Sequence, residues 1–454
     1  MRDSIYEHFC TIFVGVATLF RFTAYDMSTF VIESLLYSAH VRDPSAIIPH
    51  AGYYGQAVKE VSSCLSTFIV PIILNYMKPK WALVMGSGIF AIYIASFFYI
   101  NNYLYFSANF LMGIAFTLNY TAFSTYQMQF STRKTLARNS ARVWGIASFS
   151  LFASGCLYVY ITSTHASTAD EPSGQEEYRY YSQEETRTIF VFLFVSCIIA
   201  LVMNAFFPSR EVANSVASEN PHEKLTLREQ VGETVSVLVN PYILIFIPRF
   251  LNHGLFFAFY MNVYPTSLQY STILARNYPM LTAYYSFTMC AGTSICGLLI
   301  APLNRRFHDF GLRPLYYITM GLQLLTYLVA TLTVPNWSTA RPTTEGAILE
   351  PSVFWVCTVA FLMGFADSAN ISSNTVICSR LVPGRASHTY SAARFYMGVT
   401  ASIIFFCSPM LTMRAHAIIL TSATIISALS FNFAVKRVEK REEETRNEKK
   451  PVEA

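Results

Sequence analysis

The chain has few charged residues for its length. Aspartate, glutamate, lysine and arginine make up 13% of its 454 residues, whereas 53% are hydrophobic. Soluble domains carry roughly 25% charged residues, so this composition excludes an ordinary soluble protein. Apolar stretches long enough to cross the hydrocarbon core of a bilayer recur along the whole sequence. The composition therefore predicts an integral membrane protein that crosses the bilayer many times.

The sequence also lacks the residue patterns of catalytic and metal centres. No Ser/His/Asp order, phosphate-binding glycine loop or metal-ligand spacing is present. The nine cysteines all lie in or beside apolar stretches. Cys290 and Cys296, six residues apart with no histidine beside them, do not fit a structural zinc site. We expect reduced, packed cysteines, no metal, no cofactor and no enzymatic activity.

A repeated string divides the chain into two equivalent parts. The string Phe-Leu-Met-Gly begins at 110 and again 251 residues later at 361, and the copies end at Asn119 and Asn370. Twelve apolar segments are long enough to span a membrane, and the two copies fall in the fourth and tenth of them. The predicted spans are 9–35, 53–76, 82–100, 103–127, 143–161, 188–207, 241–263, 280–302, 314–334, 352–376, 395–413 and 415–435.

This pattern predicts an all-α polytopic membrane protein of the major facilitator type, with twelve transmembrane helices in two six-helix pseudo-repeats. The predicted halves are 1–207 and 241–435, joined by a cytoplasmic linker at 208–240 and followed by a charged cytoplasmic tail at 436–454. Basic residues near helix ends resist translocation. With the N-terminus inside, 23 of the 32 lysines and arginines fall on the cytoplasmic side and six on the other. Both termini are therefore predicted to be cytoplasmic.

The net charge of +5 is explained by this asymmetry. No basic patch is interleaved with stacking aromatics, so the sequence predicts no binding of nucleic acid. Of three Asn-x-Ser/Thr sequons, those at Asn119 and Asn370 belong to the repeated string and fall at membrane depth. Only Asn336, in the predicted exoplasmic loop 335–351, is a candidate for glycosylation.

Polar and ionisable residues inside the predicted helices are the candidate functional residues. A charge at mid-membrane costs at least about 2.5 to 3.5 kcal/mol and needs a partner or a role. Most of these residues lie in helices 1, 4, 7 and 10, which line the central cavity of this architecture, and three of them share one face of helix 10. The cluster comprises Arg21, Tyr25, Asp26, Glu33, Gln56, Asn119, Arg249, Asn252, His253, Asp367, Asn370 and Asn374.

Two interpretations of this cluster remain open on the residues alone. In the first, it forms a pathway for a small solute or a proton. In the second, the groups pair across helices and fix the two halves in one arrangement, for example Arg21 with Asp26 or Glu33, and Arg249 with Asp367. A lone histidine such as His253 is more often a hydrogen-bonded packing residue than a proton carrier.

Several short blocks carry a resemblance to a known family. The most specific is Gly-Tyr-Tyr-Gly-Gln at 52–56. The others lie at 22–26 with Glu33 and Ser34, at 79–83, at 264–266 and at 364–367. Together these blocks, which are spread over nearly the whole chain, resemble the Unc-ninety-three family of major facilitator-like proteins.

The resemblance implies a bilayer protein that acts on other membrane proteins, as a regulatory subunit of ion channels or a trafficking partner of receptors. The alternative is a secondary transporter of a small solute, with or without proton coupling, that alternates access around a midplane site. Two cytoplasmic loops favour the regulator. In one of them Asn304 replaces the acid of the charge-paired loop of major facilitators, and the loop at 75–81 lacks both the acid and the paired arginine.

Overall fold

The computed structural model consists of helices joined by short connections. It describes residues 3–132, 135–165, 178–210, 212, 215–219, 226–307, 310, 312–382 and 385–448. Parts of the predicted linker 208–240 and the end of the predicted tail 436–454 lie outside these ranges. The helices of the first half are α1 Asp3–Arg42, α2 Ala51–Tyr76, α3 Pro79–Ala95, α4 Asn102–Phe130, α5 Leu136–Ala147, α6 Ser150–His165 and α7 Gln183–Ala205.

The second part of the chain repeats this pattern after two short helices in the predicted linker. Those helices are α8 Val216–Glu219 and α9 Leu227–Leu238. The last helix continues through most of the predicted charged tail. The helices of the second half are α10 Pro241–Leu244, α11 Ile247–Ala258, α12 Tyr264–Tyr270, α13 Thr272–Asn277, α14 Leu281–Arg306, α15 Arg313–Thr333, α16 Val353–Leu381, α17 Ala386–Cys407 and α18 Met413–Glu448.

Ten helical segments of the described chain are long and apolar enough to cross a membrane. One of them combines α5 and α6, which a turn at 148–149 separates. The predicted spans 103–127 and 241–263 are not among the ten. The first corresponds to α4, and the second to the interrupted series α10 to α12. The count of twelve transmembrane helices and the side on which the termini lie therefore stay predictions.

A π-helical turn at Phe259–Val263 interrupts the helix that runs through α11 and α12. Pro265 has no backbone N–H, and the N–H of Tyr264 bonds to the carbonyl of Phe259 instead of that of Tyr260. The Tyr260 carbonyl is thereby freed, and the Tyr285 hydroxyl donates to it at 2.5 Å. A proline thus interrupts the helix, and Tyr285 of the neighbouring α14 supplies the missing donor.

The repeated string marks equivalent helix contacts in the two halves. In the first half α4 packs on α2, and in the second half α16 packs on α14. A Cβ atom at Gly113 would lie 2.2 Å from the Lys59 carbonyl oxygen, and one at Gly364 would lie 2.1 Å from that of Met289. Only glycine lets the two backbones approach this closely. The glycine of each copy therefore sets the spacing of a helix pair.

The two halves meet along several helix pairs. α2 packs on α17, α6 packs on α14, and α1 packs on the π turn and α12. The linker helix α9 begins at a capping box between Thr226 and Glu229 and touches both halves. Its Gln230 amide donates to the Pro71 carbonyl at 3.4 Å, and the Tyr396 hydroxyl donates to the Leu238 carbonyl at 3.0 Å. The linker thus bridges α2 and α17.

We predict that Gly113→Ala and Gly364→Ala each destabilise the protein. The added methyl group forces two packed backbones apart, which costs about 1–3 kcal/mol for an overpacked core. Thermal unfolding of the purified protein in detergent measures the effect. Gly88→Ala in α3 is the matched control, because a Cβ atom there meets nothing within 4 Å. Equal melting temperatures for Gly113→Ala and Gly88→Ala would contradict the assigned spacing role.

Candidate functional site

Arg21 connects α1 to the first copy of the repeated string. Its guanidinium is buried, and Nη1 donates to Asn119 Oδ1 at 2.8 Å. The guanidinium carbon also lies 5.5 Å from the ring centroid of Phe22 and 5.7 Å from that of Phe90. Aromatic faces stabilise a desolvated cation. The amide and the rings together hold a charge that has no carboxylate partner among the described residues.

Arg249 has the equivalent environment in the second half. Its Nη2 donates to the main-chain carbonyl of Asn370 at 3.4 Å, in the second copy of the string. The guanidinium carbon lies 4.7 Å from the Tyr316 ring centroid and 5.6 Å from that of Phe431. The last residue of each copy therefore accepts a hydrogen bond from the arginine of its own half, Asn119 through its side chain and Asn370 through its main-chain carbonyl.

The pairings considered from the sequence are wrong for both arginines. Asp26 instead accepts a hydrogen bond from the Ser150 hydroxyl at 2.7 Å. Asp367 accepts one from the Tyr260 hydroxyl at 2.8 Å and lies 3.9 Å from His253 Nε2. For Arg21 the reason lies within its own helix, because it and Asp26 are five residues apart and do not share a helix face.

The centre of the bundle contains a buried ion pair. Lys59 Nζ lies 3.0 Å from Glu60 Oε1 and donates to the Tyr25 hydroxyl at 2.6 Å, with Lys59 only 1% exposed. The ammonium also lies 5.6 Å from the Phe116 ring centroid and 5.8 Å from that of Phe257. α1, α2 and α4 of one half and α11 of the other thus surround a single cation. The cluster of candidate residues predicted from the sequence does not contain Lys59.

Glu33 joins the halves at one end of the bundle. This outer end carries the connections 43–50 and 335–352 and is predicted to be exoplasmic. The Glu33 carboxylate, 1% exposed, accepts from the Tyr53 amide at 3.0 Å, His50 Nδ1 at 3.0 Å and the Tyr270 hydroxyl at 3.2 Å. The carboxylate therefore caps the start of α2 and holds α12 of the other half.

Further hydrogen bonds cross between the halves beside Glu33, and several of them involve Gln269. The Tyr53 hydroxyl donates to the Thr339 carbonyl at 2.7 Å. Gln269 in α12 donates to the Phe30 carbonyl at 2.7 Å and accepts from the Tyr181 hydroxyl at 2.9 Å. We call Glu33, Tyr53, Gln269 and Tyr270 the outer seam. Its bonds fasten the two halves together at the outer end.

The remaining predicted residues lie in the interior without forming one site. Asn252 donates to Gln323 Oε1 at 3.0 Å and accepts from the Thr424 hydroxyl at 2.9 Å, so it ties α11 to α15 and α18. Gln56 is fully buried, and neither of its amide atoms has a hydrogen-bond partner within the described ranges. Asn374 accepts a weak bond from Cys378 on its own helix at 3.8 Å. The polar face of helix 10 is thus divided among several contacts.

Arg394 is an interior contact residue that lies just outside the predicted span 395–413. The predicted span began at 395, whereas α17 begins at Ala386 and Arg394 lies inside it. Its guanidinium carbon lies 4.6 Å from the Tyr120 ring centroid and 5.1 Å from that of Phe116, both in the other half. The apolar stretch from which the span was predicted begins only after Arg394, because the residues before it are largely polar. The start of the helix was therefore predicted too late in the chain.

The site offers charge pairs, hydroxyl donors and aromatic faces. Within the described ranges, no group of three or more His, Cys, Asp and Glu side chains is arranged to hold a metal ion. Each cysteine is free, and six of the nine are buried. The arrangement can stabilise charged groups and hydrogen-bonded polar groups in the interior of the bundle.

Comparisons with known proteins agree with this architecture. A family model described as the ion channel regulatory protein UNC-93 matches residues 43–432. A protein named UNC93-like protein MFSD11 from Xenopus laevis is 22% identical over 440 residues, covering 93% of this chain and 94% of that protein. The MFSD11 protein of Xenopus tropicalis is also 22% identical, over 442 residues, with the same coverage of both chains.

Solved structures show the fold. The nucleoside transporter NupG superposes with a TM-score of 0.62 at 11% identity, covering 94% of this chain and 99% of its own. The peptide transporter POT gives 0.63 at 11% identity, with 94% of each chain covered. The E. coli fucose:proton symporter FucP gives 0.55 at 13%, covering 94% of this chain and 97% of its own. The chain is an integral, multi-pass membrane protein with the fold of major facilitator transporters.

We predict that Lys59→Met lowers the free energy of unfolding by about 3–5 kcal/mol, because it leaves the buried Glu60 carboxylate without its cation. The double variant Lys59→Met/Glu60→Gln should recover most of that loss. Unfolding in detergent measures both. Lys78→Met, an exposed lysine after α2, is the control and should change stability little. If the single and double variants unfolded alike, the ion pair would not be the reason for the loss.

Proposed function

The chain belongs to the UNC-93 family, described as ion channel regulatory proteins, and from that membership we propose that it is a non-enzymatic regulatory or trafficking partner of another membrane protein. Ion channels and receptors are the proposed partner classes. The observation that carries the proposal is the outer seam, because buried side chains of both halves are hydrogen-bonded across it.

The outer seam favours a regulatory function over transport, because its hydrogen bonds oppose opening of the bundle. A transporter must open each end of its bundle in turn, and opening this end would expose the Glu33 carboxylate and break its bond to Tyr270. Closer to the other end, Arg394 holds the rings of Phe116 and Tyr120 across the halves. A bundle fastened in this way presents a constant surface to a partner.

The finer organisation is part of the same proposal. We propose twelve membrane-spanning segments, with α4 and the α10–α12 series as the fourth and seventh. Both termini would then be cytoplasmic, the halves would be 1–207 and 241–435, and Asn336 would face the exoplasmic side as a glycosylation site. Asn336 Oδ1 accepts from the Arg414 amide at 3.1 Å at the outer end of the bundle. That position is consistent with the proposed orientation.

We expect the intact protein, purified from its native membrane in mild detergent, to retain a channel or receptor at near-stoichiometric amounts. Mass spectrometry of the co-purifying membrane proteins measures this against an unrelated twelve-helix protein. Asp367→Asn keeps an oxygen acceptor for Tyr260, so it should leave capture of the partner unchanged if the interior is structural. Recovery of the same proteins with the unrelated control would contradict the regulatory proposal.

A second candidate, a secondary transporter of a small solute, is favoured by one specific observation. Asp26 on α1 and Asp367 on α16 belong to opposite halves, and neither forms an ion pair with a lysine or arginine among the described residues. Asp26 accepts a hydrogen bond from the Ser150 hydroxyl, and Asp367 accepts one from the Tyr260 hydroxyl and lies 3.9 Å from His253 Nε2. Carboxylates held in this way can accept a proton or bind a cationic solute group.

If the protein is a proton-coupled carrier, Asp367→Asn and Asp26→Asn should each abolish uphill uptake into proteoliposomes while the protein level and melting temperature stay close to wild type. Asp43→Asn, in the exposed connection after α1, is the matched control and should keep full uptake. Uptake that is unaffected by both interior substitutions would remove the two carboxylates from a transport mechanism.

A further inference from the structure

A cavity at the outer end of the second half lies outside the central cluster. Its volume is about 360 Å³, and its wall is formed by the end of α15, the start of α18 and the connection between α15 and α16. The Leu349 amide donates to the Leu332 carbonyl at 2.8 Å and holds that connection against α15. The lining residues are Thr331, Val334, Asn336, Trp337, Glu345, Gly346, Ala347, Ile348 and Arg414. We call this cavity the outer pocket.

The outer pocket contains two opposite charges that are not paired with each other. Glu345 and Arg414 both line it, both are exposed, and no ion pair joins them within the described residues. The backbone N–H groups at the start of α18 are already bonded, since the Met413 and Arg414 amides donate to the carbonyl and side-chain oxygens of Asn336. The side chains are therefore the groups free to bind a ligand. A ligand with one negative and one positive group matches them.

An apolar track leads away from the outer pocket along the same two helices, which pack on each other. On α18, Ile418 lies one turn from Arg414 on the same face and is 67% exposed. On α15, Leu328 lies one turn from Thr331 and is 57% exposed. Trp337 also lines the outer pocket, and tryptophan is enriched where a bilayer meets water.

We propose that the outer pocket binds the headgroup of a zwitterionic phospholipid. The phosphate lies against Arg414, the ammonium group against Glu345, and the acyl chains follow the track of Leu328 and Ile418 on α15 and α18. The pocket has the size of small-molecule sites, which range over roughly 300–1,000 Å³. This site is independent of the proposed regulatory function, because it lies outside the helix pairs that join the halves.

The test is lipid binding to the intact purified protein, followed by native mass spectrometry and by thermal unfolding. The probes are dioleoyl phosphatidylcholine, dioleoyl phosphatidylglycerol and soluble glycerophosphocholine. Phosphatidylcholine should bind at one molecule per chain and raise the melting temperature, whereas the anionic lipid and the soluble headgroup should bind more weakly. Equal binding of both lipids, or full competition by glycerophosphocholine, would overturn the proposal in favour of unselective lipid contact or a soluble ligand.

The two charges should have different effects when removed. Arg414→Gln should weaken phosphatidylcholine binding about tenfold or more, because a charge-assisted hydrogen bond is lost. Glu345→Gln should instead improve binding of phosphatidylglycerol relative to phosphatidylcholine. The control Glu184→Gln/Arg187→Gln removes one exposed charge of each sign from the start of α7. Variants that bind both lipids like this control would exclude the outer pocket as the site, and their unchanged melting temperature without lipid would rule out misfolding.

Discussion

The cost of burying charge in a bilayer governs the interior of this protein. Lys59 and Glu60 solve it with an ion pair, while Arg21 and Arg249 solve it with an amide oxygen and two aromatic rings each. Glu60 neighbours Lys59 in α2, but the ammonium is also bonded to Tyr25 of α1 and faces Phe116 of α4, and each arginine takes partners from other helices. The bundle must therefore be assembled before these charges are fully stabilised. The polar residues therefore specify which helices meet, and the apolar surface only keeps those helices in the membrane.

The need to stabilise a buried arginine also explains why the two halves resemble each other at the repeated string. Each half needs a close helix contact and a neutral partner for its arginine, and the repeated string supplies both. Gly113 and Gly364 permit the contact, and Asn119 and Asn370 accept from the arginine. The rings that complete each cation site come from different helices and differ in type. The two copies of the string thus share the glycine that permits a close backbone contact, whereas their asparagines accept from the arginine through different atoms.

The interface between the halves determines which conformations the protein can adopt, and this bears on its function. Hydrogen bonds that cross at the outer seam are buried, and breaking a buried bond leaves a donor or acceptor without a partner. The structure is therefore stable with its outer end closed. A regulatory protein can use that single state, whereas a transporter needs a second state of comparable free energy. Asp26 and Asp367 lie in opposite halves and have no lysine or arginine partner among the described residues, so they are the groups through which such a second state would be favoured.

Composition and periodicity were sufficient to predict a helical membrane protein, and the repeated string was sufficient to predict that the two helices bearing it are equivalent, because these depend on local hydrophobicity and on repeated residues. The family resemblance came from short blocks of specific residues, the clearest of them at 52–56. Partner choice could not be predicted in this way. Arg21 binds Asn119, 98 residues away, in preference to acids on its own helix, and Arg394 lies inside a helix whose start the apolar run misplaced. Only the tertiary structure decided these contacts, since the direction of a long side chain depends on which helices surround it.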